Sequence, residues 1–159
     1  MKNKKLNHVI TFAMGGILGF ILSRKYYVKY CQEIRKKIES NVAVISRLEE
    51  WINILHFGKK MEEYLKENGY YSVLIYGMGR LGRILLDELE DSDISVLAAI
   101  DRNANNRFED IRVISPDDIF PQADCIIITP LTGQNEIKKM LSSKIDCHII
   151  SLDELFVQL

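Results

Sequence analysis

The chain has 159 residues, of which 47% are hydrophobic and 27% are charged. These are the values of a globular protein, and they exclude a chain that is disordered as a whole. The net charge of −1 conceals an asymmetry: residues 1–40 carry nine Lys and Arg against two Glu, whereas residues 41–159 carry twelve against twenty acidic residues. The acidic body lacks the basic surplus that binding to a phosphate backbone requires, which argues against nucleic acid as a partner.

The three cysteines, Cys31, Cys125 and Cys147, are widely spaced and form neither a CxxC pair nor a Cys/His cluster. The sequence therefore predicts no metal site. Cys125 and Cys147 begin apolar runs, and we interpret them as small core residues. A reducing compartment fits this use of cysteine best.

The first forty residues contain an apolar run that indicates a membrane helix. Residues 9–22 carry no charge and a single polar side chain, Thr11. A spanning helix needs about 20 apolar residues, with a tolerated range of roughly 17–25, and the flanking residues extend this run to 6–23. We predict an uncleaved anchor over residues 1–25, because the following sequence FILSRKYYV offers no A-x-A-like cleavage site. The alternative is a helix buried in a soluble partner or oligomer.

The basic residues around this run predict its orientation. Three of them precede the run and six follow it closely: Lys2, Lys4 and Lys5, then Arg24, Lys25, Lys29, Arg35, Lys36 and Lys37. The more basic side of a membrane helix stays in the cytoplasm. We therefore predict a single-pass protein of the inner (cytoplasmic) membrane with a cytoplasmic carboxy-terminal domain. Gly15 and Gly19 form a GxxxG pair that would let two such helices approach closely, although chance spacing explains it equally well.

Residues 26–57 form a predicted long amphipathic helix with a heptad pattern. One register covers four heptads, with Cys31, Ile38, Ile45 and Ile52 at a, and with Tyr27, Ile34, Asn41, Leu48 and Leu55 at d. Isoleucine at a with leucine at d favours a parallel two-stranded coil, which predicts a homodimer through residues 27–55. However, Val42, Val44 and Trp51 occupy e or g positions and widen the apolar face. The alternative is that this helix packs on its own globular domain.

Residues 58–159 alternate strand-like with helix-like segments. Strands are predicted at 71–76, 95–100, 111–114, 124–129 and 147–152, and helices at 59–69, 80–90 and 132–141. Gly69 is the predicted end of the first of these helices, Thr132 is a candidate cap of the last, and Ser115 is a candidate cap of a short turn. This order predicts an α/β fold, a compact Rossmann-like doubly wound parallel sheet of about five strands.

Gly77, Gly79 and Gly82 form a GxGxxG motif between the first of these strands and the helix that follows it. The first glycine permits a tight turn, the second lets the backbone approach a pyrophosphate, and the third lets the helix pack against the strand. Asp101 ends the second strand, where an acid accepts hydrogen bonds from ribose hydroxyls. We predict a nucleotide site here. The alternative is an inherited fold with an empty site, in which Asp101 only caps a loop.

Neighbouring residues refine the predicted ligand. Arg80 follows the second glycine and either points toward a phosphate or is a solvated residue of the first helical turn. Arg102 favours an extra 2′-phosphate, but Asp101 opposes one, so a ribose of the NAD type or of the UDP or ADP type is preferred over NADP. Thr129 and Pro130 follow the fourth strand and should reach the same crevice, where Thr129 is a candidate ligand contact.

The segments VLIYGMGRLGRILLDELE, VLAAIDRN, VISPDDI, ADCIIITPL, EIKKML and IISLDELF together resemble the small Rossmann-like domains of bacterial surface-polysaccharide (capsule) biosynthesis proteins. Such domains occur beside sugar-modifying enzymes and, as a CoA/NAD-binding-like domain, after the membrane helices of membrane-bound nucleotide-sugar dehydratases. The resemblance covers about residues 58–159. It implies NAD(H) or a nucleotide sugar as ligand, a polysaccharide-biosynthesis enzyme as partner, and nucleotide contacts from Gly77, Met78, Gly79, Arg80, Leu81 and Asp101. A related pattern occurs in the nucleotide-sensing domains of potassium transport systems.

The sequence predicts no catalytic residues. No Tyr-x-x-x-Lys pair follows the fourth strand, no GxSxG elbow or P-loop lysine is present, and His148 is interpreted as a satisfied core residue. We therefore predict a membrane-anchored, cytoplasmic accessory or regulatory protein of cell-surface polysaccharide biosynthesis. The alternatives are an oxidoreductase or epimerase subunit completed by a partner chain, a nucleotide-sensing regulatory domain, and a membrane scaffold with an empty fold.

Overall fold

The computed structural model describes residues 2–103 and 111–159, with side chains from residue 19 onward except residue 21. These residues form five helices and five strands. The helices are α1 (Lys2–His56), α2 (Met61–Glu67), α3 (Arg80–Glu90), α4 (Gln134–Ser142) and α5 (Leu152–Gln158), and the strands are β1 (Ser72–Tyr76), β2 (Ser95–Ile100), β3 (Val113–Ile114), β4 (Cys125–Ile128) and β5 (His148–Ser151). The chain divides into two compact units, Met1–Val42 and Ala43–Leu159.

The five strands form one parallel sheet in the order β3-β2-β1-β4-β5. The central strands are continuous apolar runs because both faces of the sheet are covered, as is usual for parallel sheets. The predicted α/β fold with five parallel strands is therefore confirmed. All five predicted strands are present, and the third of them shrinks from residues 111–114 to the two residues of β3.

Successive residues of β1 face opposite sides of the sheet. Val73 and Ile75 belong to one apolar cluster, which also contains the buried leucines of α3 and α5. Leu74 and Tyr76 belong to a second cluster, against which α4 packs. The helices on the two faces bury both sides of the sheet, and the carboxyl ends of its strands remain open to ligands.

The last part of α1 packs on the body of the unit Ala43–Leu159. Trp51 is only 2% exposed, and its indole Nε1–H donates to Glu88 Oε2 of α3 at 2.5 Å. The other oxygen of Glu88 accepts from the backbone N–H of Met61 at 3.2 Å, at the start of α2. Packing of the amphipathic helix on its own domain therefore holds for this stretch, and the compact unit begins well before the predicted boundary at residue 58.

Another face of α1 remains exposed. In the unit Ala43–Leu159, the side chains of Ile45, Ile52 and Leu55 are about half exposed or more. In the unit Met1–Val42, those of Ile38 and Val42 are 57% and 59% exposed. These residues occupy or adjoin the predicted a and d positions, so the homodimer through residues 27–55 stays a prediction.

Among the described residues, no helix combines the length and the apolar character needed to cross a membrane. The predicted membrane helix over residues 1–25 is therefore not supported. The side chains of residues 1–18 and 21, including Gly15 of the GxxxG pair, lie outside the described residues.

Several local predictions need correction. Helix α4 is capped by Gly133 rather than Thr132, because Gly133 adopts a left-handed φ of +71° directly before the helix. Helix α2 ends at the C-cap Asn68, and Gly69 follows it with a φ of +76°. His148 is not a core residue, since it is exposed at the start of β5 and stacks on the ring of Tyr70 at 5.1 Å. Of the two predicted core cysteines, Cys125 is buried and Cys147 is half-buried.

Helix α5 was not among the predicted elements, although its start is marked in the sequence. The Ser151 hydroxyl accepts from the N–H of Glu154 at 3.3 Å, and a Glu154 carboxylate oxygen accepts from the N–H of Ser151 at 2.8 Å. This reciprocal pair is a capping box. It turns the chain directly from β5 into α5.

Candidate functional site

Two of the three motif glycines are required by the fold itself. Gly77 adopts a φ of +96°, and a Cβ at this position would lie 2.8 Å from Cδ of Pro130. A Cβ on Gly82 would overlap the carbonyl oxygen of Gly77 and would lie 3.1 Å from the Gly77 carbonyl carbon. A side chain on Gly77 would push the turn away from the loop after β4, and a side chain on Gly82 would push α3 away from the turn.

Gly79 differs from the other two, because a Cβ there would meet no atom within 4 Å. Its backbone is extended, with φ −73° and ψ −162°, a conformation open to any residue. Gly79 is the N-cap of α3, and no side chain caps that helix. The start of α3 therefore lacks a side-chain cap, and the helix dipole favours an anion there.

Asp101 holds the glycine turn from the side of β2. Its Oδ2 accepts from the backbone N–H of Met78 at 2.7 Å, and its Oδ1 accepts from the N–H of Asn103 at 2.8 Å. The carboxylate thus caps the loop that follows β2, as the alternative interpretation expected. A carboxylate oxygen can accept more than one hydrogen bond, so each oxygen of Asp101 has capacity left for a ribose hydroxyl.

The side chains of several other predicted site residues are buried, where they hold the glycine turn or fill the core. The Thr129 side chain is buried, and its hydroxyl donates to the carbonyl oxygen of Gly77 at 2.7 Å. It positions the glycine turn, and its predicted ligand contact stays a prediction. The side chains of Met78 and Leu81 are buried in the core, so only their backbone atoms are available to a ligand. Arg80 is exposed in the first turn of α3.

A cavity of about 790 Å³ opens at the carboxyl ends of β1, β2 and β4. It is lined by Tyr76, Gly77, Asp101, Arg102, Asn103, Pro130, Thr132, Gly133, Glu136 and Ile137. In open parallel sheets, ligands bind outside the carboxyl ends of the strands where the strand order reverses. Here the order reverses between β1 and β4, since β2 and β3 continue on one side of β1 and β4 and β5 on the other.

The cavity wall contains some of the predicted site residues together with residues that were not predicted. Of the predicted site residues, Gly77, Asp101 and Arg102 line it, as does Pro130, which was expected in this crevice. Sequence reasoning missed the residues that come from the end of β1, from the loop after β2 and from the start of α4: Tyr76, Asn103, Thr132, Gly133, Glu136 and Ile137. The available signal was topological, because α4 follows β4 and must begin at the same edge of the sheet as α3.

Tyr76 is the most enclosed polar residue of the cavity wall. It is 7% exposed, and within the described part of the chain no group forms a hydrogen bond with its hydroxyl. Burial raises the pKa of Tyr76, although the nearby positive charge of Arg102 acts in the opposite direction. The phenol is therefore a neutral hydroxyl at neutral pH.

The charges on the cavity wall are mixed. Asp101 and Glu136 supply carboxylates, and Arg102 supplies an exposed guanidinium. Across the two described segments, neither Arg102 nor Glu136 forms an ion pair. Such a wall suits a ligand that carries both a negative charge and hydrogen-bond donors.

The described residues contain no group of three His, Cys, Asp or Glu side chains placed to hold a metal ion. Burial raises the pKa of the Cys125 thiol to about 12, so it is not ionised at neutral pH. The described cavity wall contains no histidine, cysteine or lysine. Its chemistry is that of hydrogen bonding, charge and one aromatic face.

Comparison with known proteins identifies one domain. A family model described as C2185-like, N-terminal, matches residues 69–150. This range extends from Gly69, two residues after the end of α2, into β5, and it covers about half of the 159 residues. The curated proteins include no match to the chain. The glycine turn, Asp101 and the whole cavity wall lie within the matched range. The chain therefore belongs to the C2185-like family, by a match to the model of that family's N-terminal domain.

Proposed function

We propose that this protein binds NAD(H) or a nucleotide sugar and acts as an accessory or regulatory protein. The observation that carries the proposal is the start of α3, which has no side-chain cap and where a Cβ on Gly79 would meet no atom within 4 Å; the carboxylate of Asp101 accepts from the adjacent N–H of Met78. The fold needs Gly77 and Gly82 in order to close the turn, but it has no packing reason to keep a glycine at position 79. A phosphate group approaching the backbone supplies that reason.

The topology supports the same proposal. The order β3-β2-β1-β4-β5, with helices on both faces, is the arrangement of the first five strands of a Rossmann-like doubly wound sheet. In such sheets, an acid at the end of the second strand binds ribose, and Asp101 occupies this place. The cavity beside it, walled by the Tyr76 ring and by Ile137, is the proposed site of the base.

We propose a binding role rather than a catalytic one. Covalent chemistry needs an activated nucleophile, and the described cavity wall contains no histidine, cysteine or lysine; the Asp101 carboxylate on this wall already accepts hydrogen bonds from the backbone. We propose that ligand binding changes the association of this protein with an enzyme of cell-surface polysaccharide biosynthesis. This last part rests on the sequence resemblance. An oxidoreductase or epimerase subunit completed by a partner chain is the alternative, as is a nucleotide sensor like those of potassium transport systems.

Calorimetric titration of the full chain tests the ligand. We expect saturable binding of NAD⁺, NADH or UDP-glucose by the wild-type protein and its loss in Gly79→Val. A Cβ at this position meets no atom within 4 Å, so we expect the variant to retain its circular dichroism spectrum. Absence of binding at millimolar ligand would overturn the proposal. Turnover of NADH with a nucleotide sugar, on addition of a partner enzyme, would favour the alternative of a split enzyme.

The amino-terminal half of α1 has a separate proposed role. We propose that residues 1–25 anchor the protein in the inner (cytoplasmic) membrane by a single pass, with the carboxy-terminal domain in the cytoplasm, on the basis of the apolar run and its basic flanks. Extraction of the chain from membranes by alkaline carbonate would contradict a spanning anchor, and retention in the pellet is the expected result. Self-association through residues 27–55 is the second candidate role of this helix, favoured by its exposed apolar residues.

A further inference from the structure

We propose that Arg47 and Asp153 position the loop that walls the cavity, so that ligand affinity depends on two residues that lie outside it. The loop comprises residues 130–133, between β4 and α4, and three of its four residues line the cavity. Neither Arg47 nor Asp153 is among the lining residues. This inference rests on the proposed nucleotide site and names the residues that support that site from outside.

Gln134, the first residue of α4, joins this loop to α5. Its side-chain Nε2 donates to the carbonyl oxygen of Pro130 at 3.1 Å and to Oδ2 of Asp153 at 3.0 Å. The first bond closes the loop on the start of α4, and the second fixes the closed loop to the first turn of α5. The Pro130 ring in turn lies against the glycine turn, because a Cβ on Gly77 would come within 2.8 Å of its Cδ. A shift of Gln134 therefore moves the cavity wall relative to the glycine turn.

Arg47 holds the same carboxylate from the last part of α1, which belongs to the same compact unit. Its Nε lies 2.8 Å from Oδ1 of Asp153. One of its terminal nitrogens forms an ion pair with Glu50, which fixes the guanidinium from its own helix. The Asp153 carboxylate is thus held at both oxygens, by α1 at Oδ1 and by α4 at Oδ2.

The ion pair between Arg47 and Asp153 matters mainly for the position of the carboxylate. Oδ1 of Asp153 is buried, and a buried charge without a compensating partner is costly. Without Arg47, the Asp153 side chain would therefore turn toward water and take Oδ2 away from Gln134. The two side chains as a whole are 34% and 31% exposed, so solvent screens the pair and its contribution to overall stability is small.

Calorimetric titration of the full chain with NAD⁺, NADH and UDP-glucose tests the proposal, with each of these ligands that the wild-type protein binds. Gln134→Met removes both hydrogen bonds of the amide and keeps the length of the side chain, and Arg47→Met removes the guanidinium. We expect each variant to bind about threefold to tenfold more weakly, as is typical of residues that act on a site through others. Arg47→Lys keeps a positive charge that reaches Asp153, so it should recover most of the affinity.

A double variant shows whether the two residues act through one chain of contacts. Arg47 and Gln134 both contact Asp153, on opposite oxygens. Once Gln134→Met has released the loop, the addition of Arg47→Met should therefore change the affinity by less than about twofold. Losses that multiply would mean that the two residues act independently, and they would overturn the role of Asp153.

Lys138→Met is the matched control, because Lys138 also joins α4 to α5. Its Nζ lies 2.6 Å from Oε1 of Glu154, the residue after Asp153, and Lys138 is not among the residues that line the cavity. The affinity of this variant should stay within about twofold of wild type. A loss equal to that of Arg47→Met would show a general loosening of the helices and would overturn the proposal.

The outcomes separate this inference from the proposed function. Failure of the wild-type protein to bind any of the three ligands overturns the nucleotide site and this inference with it. Wild-type binding with unchanged affinity in Arg47→Met and Gln134→Met overturns the positioning role and leaves the site standing. Thermal unfolding of every variant provides the second readout. A lower unfolding midpoint with unchanged affinity would assign these residues to stability alone, which also overturns the inference.

Discussion

The backbone carbonyl of Gly77 occupies the space that a side chain on Gly82 would need. The contact joins the end of β1 to the first turn of α3, and the hydroxyl of Thr129 bonds to the same carbonyl from the loop after β4. Three segments thus meet at one oxygen atom. Packing within the protein therefore fixes the geometry of the turn.

Replacement of Gly82 by alanine should therefore destabilise the fold. The new methyl group forces α3 away from the turn, and overpacking of this kind costs about 1–3 kcal/mol. Gly79→Ala meets no atom, so it should cost less than about 1 kcal/mol, from the weaker preference of alanine at an N-cap. Urea unfolding measures both free energies. Equal loss in the two variants would contradict the distinction drawn between these glycines.

Thr129→Val should lower stability and leave ligand affinity nearly unchanged. Valine has the shape of threonine but cannot donate to the Gly77 carbonyl, and loss of such a buried hydrogen bond costs about 1–2 kcal/mol. Unfolding midpoints and calorimetric dissociation constants give the two readouts. A tenfold loss of affinity with unchanged stability would show instead that the hydroxyl contacts the ligand.

Glu88→Ala should loosen the attachment of α1 to the body. It removes the acceptor for the Trp51 indole and for the Met61 N–H together, at a cost of about 2 kcal/mol. Trp51 is the single tryptophan of the chain, so its fluorescence reports this contact directly. We expect a red-shifted emission and a lower unfolding midpoint. Glu90→Ala, an exposed glutamate at the end of the same helix, is the control and should change neither.

Asp124 should make stability depend on pH in the acid range. Hydrogen bonds from the Ser72 hydroxyl and N–H, and from the Tyr71 N–H, lower the pKa of Asp124 below its usual value of 3.8. A carboxylate with a lowered pKa in the folded state stabilises the protein above pH 3.8, and this contribution is lost as the pH falls through the lowered pKa. Asp124→Asn should flatten the acid side of the curve of unfolding midpoint against pH. An unchanged curve would contradict the assignment.

Cys31 provides a test of self-association along α1. It occupies an a position of the predicted heptads and is exposed, whereas Cys125 is buried and its thiol is protonated at neutral pH. In a parallel, in-register pair of helices, the two Cys31 residues face each other, so mild oxidation should give a disulfide-linked dimer. Cys31→Ser should abolish that dimer, and Cys147→Ser should not. A monomeric mass by sedimentation, together with no cross-link, would contradict the homodimer.

The sheet was predictable because its strands are runs of Ile, Val and Leu, which have few alternatives in a buried parallel sheet. β3 was the least certain boundary, since Arg112 is exposed and only Val113 and Ile114 pair with β2. The start of α4 was misplaced because Gly133 takes a left-handed conformation. A cap preference by itself does not reveal that a neighbouring glycine will do so.

The site was only partly predictable. The GxGxxG spacing locates the turn and Asp101, because the motif acts within one βαβ unit. Glu136 and Tyr76 line the cavity because β4 lies beside β1 in the sheet and because side chains alternate between the two faces of a strand. The motif spacing reveals neither of these. The heptad pattern fits both self-pairing and packing on the body. The hydrogen bond between Trp51 and Glu88 joins residues that are far apart in the sequence, so only the folded structure reveals that this stretch of α1 packs on the body.

The two edges of the sheet differ in what they offer to another molecule. The edge strand β3 has only two residues, so this edge presents very few free N–H and C=O groups to a neighbouring strand. Short edge strands protect β-sheets from joining to one another and from forming fibres. The opposite edge, β5, has four residues and turns at once into α5. Copies of this protein that meet at high local concentration are therefore poorly equipped to fuse their sheets through the β3 edge.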